Sequence, residues 1–297
     1  MSNGRVVLIT GTSTGFGRLA VPLYLERGWT VIATMRDAGG RGPQIFAEAL
    51  KSSGSRLLLL ELDVERPEDW TAAARYIEEK LGGRLDVLVN NAGYGLMGAL
   101  EDQTLEQLRK QFEVNFFGLA GLTRTLLPLL RRNRGRILNV SSIVGLISTP
   151  FFSAYNATKH AVEGFTESLY YELRPMGVQV GLIEPGAFKT DFAARSLMIA
   201  EGVKDPHSPY AFVNEPFTRM VGNQKASADP IIVARKMVKL SECSRVPLRT
   251  LAGVDAHLMA SLRRILPHGL RVGLMAFGLE QILKRIRKKT APTLVIN

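Results

Sequence analysis

Cysteine, histidine and tryptophan are scarce in this chain: one, four and two among 297 residues. The lone Cys243 excludes an intramolecular disulfide and fits a reducing compartment. The histidines, His160, His207, His257 and His268, are dispersed without ligand-type spacing, so no metal centre is expected. No stretch reaches the about twenty uninterrupted apolar residues that a membrane-spanning helix needs. No secretory signal is expected either, because Met1-Ser2-Asn3-Gly4 leads straight into an apolar run, and a cytoplasmic location follows as the expectation. Internal repeats and low-complexity linkers are also missing. A hydrophobic fraction of 46% excludes global disorder.

What is there is a regular alternation. Residues 5–10 (RVVLIT), 30–34, 56–62, 85–90 (LDVLVN), 136–140 and 178–183 read as buried strands. Helical stretches separate them at 16–27, 43–53, 67–81, 105–131 and 153–174. Apolar runs divided by helices predict parallel strands with helices on both faces, a three-layer, doubly wound α/β architecture that binds ligands at the carboxyl ends of its strands. Residues 187–226 are loop-rich, with Pro206, Pro209 and Pro216 among scattered apolar side chains. A helix is expected at 229–240, a short strand at 248–252 and an amphipathic helix at 270–289.

Between the first strand and the first helix runs Thr10-Gly11-Thr12-Ser13-Thr14-Gly15-Phe16-Gly17. Glycine permits close backbone approach, and a helix N-terminus offers unpaired amides with a partial positive charge, which suits a pyrophosphate. The second strand ends in Met35-Arg36-Asp37. A guanidinium there can pair with a ribose phosphate, which favours NADP; Asp37 could bind the ribose instead and keeps NAD open.

Tyr155 and Lys159 lie one helical turn apart, so they share a face. A nearby ammonium lowers a phenol's pKa and lets it exchange protons near neutral pH. Ser142, at the end of the fifth predicted strand, could hold a substrate oxygen; its neighbour Ser141 competes, since only one should point inward.

Together these features resemble the short-chain dehydrogenase/reductase family of the classical type, over roughly residues 5–190. Thr10–Gly17 is similar to the family's TGxxxGxG loop, and Ser142, Tyr155 and Lys159 to its serine and YxxxK pair. Asp63, with Val64, looks like the aspartate that contacts adenine. Asn90-Asn91-Ala92-Gly93 matches the NNAG motif, and Asn115 the helix asparagine that supports a proton path. Pro185-Gly186, followed by Phe188 and Thr190, resembles the segment against the nicotinamide carboxamide. Stretches 30–37, 90–100 and 142–173 look like the hydroxysteroid and retinol dehydrogenase branch.

The resemblance implies a Rossmann fold and a hydride moved between the nicotinamide of NADP(H), with NAD(H) as the alternative, and a carbonyl or alcohol carbon. Ser142 would polarise the oxygen, Tyr155 would transfer the proton, and Lys159 would bind the nicotinamide ribose and lower the phenol pKa. By the same analogy Leu96, Met97, Leu146 and Ile147 border the mouth, so a sterol-like, retinoid-like or fatty carbonyl substrate is expected. A homodimer or homotetramer is implied through the helices carrying Asn115 and Tyr155.

Residues 1–255 are assigned to the catalytic domain, with a substrate loop at 187–226, and residues 256–297 to a basic C-terminal helical extension. Residues 251–297 carry eight Lys/Arg against Asp255 and Glu280, a net +6 of the chain's +11. A solvated helix face, a cover over the site, or contact with a lipid surface would each use that charge. No motif accompanies it that would recognise nucleic acid.

Overall fold

A computed structural model describes residues 4–188, 196–222 and 228–290. The strands are β1 (Val6–Ile9), β2 (Thr30–Met35), β3 (Leu57–Glu61), β4 (Val87–Asn90), β5 (Gly95–Met97), β6 (Arg136–Val140), β7 (Gln179–Pro185), β8 (Leu197–Ile199) and β9 (Arg249–Ala252). The helices are α1 (Gly15–Glu26), α2 (Gly42–Ile45), α3 (Ala47–Ser53), α4 (Pro67–Leu81), α5 (Leu105–Phe112), α6 (Gly118–Arg132), α7 (Ser153–Leu173), α8 (Ala211–Gly222), α9 (Ile231–Glu242), α10 (Val254–Ile265) and α11 (His268–Thr290).

Seven strands form one parallel sheet in the order β3-β2-β1-β4-β6-β7-β9. The central strands are buried on both faces, which is why they read as continuous apolar runs rather than alternating ones. Alternation still sorts their side chains. Val7 and Ile9 of β1 join one core layer with Tyr24 of α1 and Met237 of α9. Val6 and Leu8 join the opposite layer with Ile77 of α4, Leu122 and Leu126 of α6, and Leu173 of α7. The doubly wound expectation is met, and the strand expected at 248–252 is the edge strand β9.

Three features were not legible in the pattern. Residues 105–131 were expected as one helix, but a π-helical turn, Glu113–Phe117, separates α5 from α6. A second, two-stranded parallel sheet joins β5 to β8. The loop-rich segment contains α8, and the domain division at residue 255 falls inside α10.

The strand order reverses direction from β1: β2 and β3 lie to one side, β4, β6, β7 and β9 to the other. A crevice opens at such a switch point, above the carboxyl ends of β1 and β4. The described candidate residues lie beyond the carboxyl ends of β1, β2, β3, β4, β6 and β7, on α7 or in the turn between α5 and α6.

Candidate active site

The loop after β1 is built for close approach. Gly11 has φ +68°, and a Cβ there would meet Ala92 Cα at 2.9 Å. A Cβ on Gly17 would meet Gly11 O at 2.7 Å, so α1 packs against the loop only through glycine. Gly15 has φ +57° and faces open space, with nothing within 4 Å of a Cβ. Thr14 precedes α1 without a side-chain cap, and the first turn holds no acidic residue. The turn therefore presents amides and partial positive charge to the crevice, the environment an anionic pyrophosphate needs.

Hydrogen bonds hold this loop rigidly. Thr12 is fully buried and its Oγ1 donates to Thr34 O at 3.1 Å. Thr10 Oγ1 accepts from Asn91 N and Ala92 N, both at 2.9 Å. Asn91 Nδ2 donates to Thr10 O at 2.8 Å and Gly11 O at 3.1 Å. Phe16 meets Phe188 edge-to-face at 5.6 Å, which joins the loop to the chain beyond Pro185 and Gly186. Gly186 N donates to Ala252 O at 2.9 Å. Ser13 is half-buried at the loop's centre. Thr190 lies outside the described residues.

At the end of β2, Arg36 and Asp37 are both exposed. Asp37 Oδ1 accepts from Gly40 N at 3.1 Å, within its own turn. Among the described residues no hydrogen bond engages the Arg36 guanidinium. Beyond β3, Asp63 Oδ1 accepts from Glu65 N at 3.1 Å, and Val64 is buried against Gly118.

Tyr155 and Lys159 both stand in the first two turns of α7. Lys159 is buried; its Nζ donates to Val140 O at 2.9 Å and lies 5.8 Å from the Tyr155 ring centroid. Tyr155 is half-buried and shares a hydrogen bond with Ser142. Ser142 extends β6, and its Oγ also meets Pro185 O at 3.4 Å. The adjacent Ser141 is buried on the opposite side, near Gly145 and Glu163, with no hydrogen-bond partner for its Oγ. Of the two serines it is Ser142 that meets the phenol, as strand alternation requires.

The electrostatics differ from the expectation. Burial pushes the Tyr155 phenol up to about 12, and the Ser142 hydrogen bond offsets only part of that rise. Burial also pushes the Lys159 ammonium down to about 8, with Glu163 opposing. Desolvation dominates both groups, and Lys159 Nζ directs its hydrogen bond to the Val140 carbonyl rather than to the phenol.

Asn115 sits in the π-helical turn and is buried. A π-turn inside a helix redirects the side chains around it, and such turns recur at functional sites. Here it aims the carboxamide at Tyr94 and at Thr158, whose Oγ1 accepts from Nδ2 at 3.2 Å. Gly93 lies between these groups: a Cβ there would meet Asn115 Oδ1 at 3.1 Å and Lys159 Nζ at 3.9 Å. The open space beside Gly15 and the uncapped amides of α1 suit an anionic pyrophosphate, and the polar groups of Asn115, Tyr155 and Lys159 around Gly93 suit the nicotinamide end of a dinucleotide.

Some supporting groups carried no readable signal. Thr158, which meets Asn115, and the Val140 carbonyl, which meets Lys159, act through contacts distant in sequence. Asp255, outside the matched motifs, accepts from Ala187 N at 2.6 Å. Behind Ser141, Glu163 and the fully buried Glu184 share Arg249, which pairs with Glu184 at 2.9 Å and also binds Glu163. Burial, with Glu163 adding to it, raises the Glu184 carboxyl to about 7.

The family model for short chain dehydrogenase matches residues 5–198. The uncharacterized oxidoreductase YusZ of Bacillus subtilis is 35% identical over 268 residues, 89% of this chain and 95% of that protein. Retinol dehydrogenase 8 of Bos taurus is 35% identical over 275 residues, covering 89% and 86%. A short-chain dehydrogenase structure from Streptomyces avermitilis superposes with TM-score 0.78 at 33% identity, covering 95% and 98%. Two Burkholderia short-chain dehydrogenase structures differ in cofactor. The B. cenocepacia protein holds NADP (TM-score 0.70, 25% identity, 92% and 98% covered). The B. phymatum protein holds NAD (0.73, 26%, 88% and 92%). Sequence match over most of the chain and a shared sheet lead to one assignment: this chain belongs to the short-chain dehydrogenase/reductase family, enzymes that interconvert an alcohol and a carbonyl with a nicotinamide dinucleotide.

Proposed function

We propose that the enzyme uses NADP(H) to interconvert a hydrophobic ketone or aldehyde and its alcohol. The observation that carries this reading is the Tyr155 phenol, hydrogen-bonded to Ser142 with Lys159 Nζ 5.8 Å from its ring. Gly11, Thr12, Ser13, Thr14, Gly15, Phe16 and Gly17 would cradle the pyrophosphate. Arg36 would pair with the ribose phosphate, and Asp63 and Val64 would border the adenine. Asn91, Ala92, Gly93, Tyr155 and Lys159 would hold the nicotinamide ribose, with Pro185, Gly186, Phe188 and Thr190 against the ring. When bound, the dinucleotide gives or takes the hydride, and its oxidised form brings a positive charge that favours phenolate.

The protein's own groups manage the oxygen and its proton. In reduction, Ser142 Oγ holds the carbonyl oxygen while Tyr155 Oη delivers a proton to it. In oxidation Tyr155 takes that proton back. Lys159, whose ammonium is weakened by burial, can exchange a proton near neutral pH. Asn115 fixes the backbone beside it.

An apolar substrate accords with the aromatic wall beside Tyr155. Phe152 lies 6.3 Å from its ring, and Phe217 of α8 lies 4.8 Å from Phe151 and 6.3 Å from Phe152. Leu96, Met97 and Ile147 are buried, and Leu146 is half-buried. NADP rather than NAD accords with an exposed Arg36 beside an Asp37 committed to its own turn. Homo-oligomerisation through α5–α6 and α7 accords with the exposed Phe117 and Tyr171 there. A cytoplasmic location accords with the free Cys243.

Nicotinamide absorbance followed with NADPH and with NADH over a panel of carbonyls tests the reading. Faster NADPH oxidation with sterol-like, retinoid-like or fatty ketones is expected. Preference for small charged sugars, or for NADH, contradicts it.

A further inference from the structure

Helices α10 and α11 leave in solvent apolar side chains that the redox site does not use. Val254, Leu258, Leu262 and Ile265 of α10 are 85%, 60%, 43% and 75% exposed. Their spacing of four, four and three residues lines them along one face. Leu270, Leu274 and Phe277 repeat that spacing on α11 and are 52%, 55% and 61% exposed. The two helices pack against each other. Lys284 and Arg285 of α11 are exposed and lie on either side of that helix's apolar stripe. The two acids of these helices are engaged: Asp255 accepts from Ala187 N at 2.6 Å, and Glu280 lies 4.0 Å from Lys284. Apolar surface of this extent, flanked by charge of one sign, marks an interaction site rather than ordinary surface.

The charge selects the occupant. A second copy bound through this face in a two-fold contact would set the face against itself, bringing cation against cation. An anionic bilayer offers an apolar interior for the leucine stripe and negative headgroups for the cations. We propose that α10 and α11 form a seat that docks the enzyme on an anionic lipid surface, without spanning it.

The seat adjoins the mouth of the active site. Helix α11 packs on α8, with Arg287 Cζ 4.8 Å from the Phe212 ring centroid. Helix α8 carries Phe217, which reaches Phe151 and Phe152 beside Tyr155. An apolar substrate dissolved in the bilayer would thus lie beside the aromatic wall.

The test is co-sedimentation of the full-length protein with vesicles of phosphatidylcholine alone or mixed with phosphatidylglycerol, at low and high salt. Two double variants accompany it, Leu258→Glu with Leu262→Glu, and Lys284→Ser with Arg285→Ser. All four side chains are exposed, so circular dichroism and turnover of a water-soluble ketone should match the wild type. The expected result is binding to the mixed vesicles that weakens about tenfold or more on neutral vesicles, in high salt and in each double variant. Absence of binding to mixed vesicles, equal binding to neutral ones, or unchanged binding by the variants overturns the proposal. So does a dimer in light scattering that Leu258→Glu with Leu262→Glu converts to monomer, since that face would then belong to a second copy.

Discussion

The Asn115 carboxamide grips the Tyr94 backbone from both sides. Its Nδ2 donates to Tyr94 O at 2.9 Å, and Tyr94 N donates to its Oδ1 at 3.0 Å. The same Nδ2 reaches Thr158, between Tyr155 and Lys159. The segment after Gly93 is therefore tied to the helix that carries the phenol. Asn115→Leu keeps the bulk, strands Tyr94 N and removes the tie to Thr158, while Tyr94 O keeps its bond from Gln111 Nε2 at 2.8 Å. Leaving a buried group unpaired costs about 1–3 kcal/mol, so chemical denaturation should show a loss of roughly 2 kcal/mol. The kcat should fall more than KM rises, because the phenol and Lys159 lose their fixed placement.

Lys159 predicts an unusual pH dependence of stability. Its ammonium is depressed from 10.5 to about 8, so between these values the unfolded chain binds more proton than the folded one. Its contribution therefore destabilises the fold below pH about 8 and is relieved as pH rises toward 10.5. Lys159→Met removes the buried charge. Relative to wild type, the variant should gain stability at pH 7 and lose about 2 kcal/mol of that advantage by pH 10. Urea unfolding at the two pH values measures this. An advantage that grows with pH contradicts the assignment.

Arg36 should set the choice of dinucleotide. It is exposed at the tip of β2, and among the described residues no hydrogen bond restrains it. A charge-assisted bond to a ribose phosphate contributes roughly 1.5–3 kcal/mol. Arg36→Ala should therefore raise KM for NADPH about tenfold to a hundredfold and leave KM for NADH nearly unchanged. Equal effects on both cofactors would transfer the selectivity to another residue.

Local pattern made most of the sheet readable. The strands β1, β2, β4, β6 and β7 are buried on both faces over most of their length, so each announced itself as an apolar run, and the glycine loop and the Tyr155–Lys159 spacing are local signals. The π-turn at Asn115 is a shift of one hydrogen-bond register inside an otherwise helical sequence, and nothing in the side-chain periodicity marks it. The pairing of β5 with β8 joins residues about a hundred positions apart, and three-residue strands carry too little periodicity to read. The phenol's acidity was misjudged for a related reason. Spacing shows that Lys159 is near Tyr155, but not that Val140 O accepts a hydrogen bond from its ammonium or that burial dominates both groups.

Replacing the Tyr155 hydroxyl with hydrogen tests the central claim most directly. With Tyr155→Phe, the fold and the binding of NADPH, measured by fluorescence titration, should match the wild type. Turnover of a hydrophobic ketone should fall about 10²–10⁴-fold, the range for losing a positioned proton donor. A variant that binds NADPH and still reduces the ketone within a few-fold of the wild-type rate would contradict the assignment of Tyr155 as the acid/base.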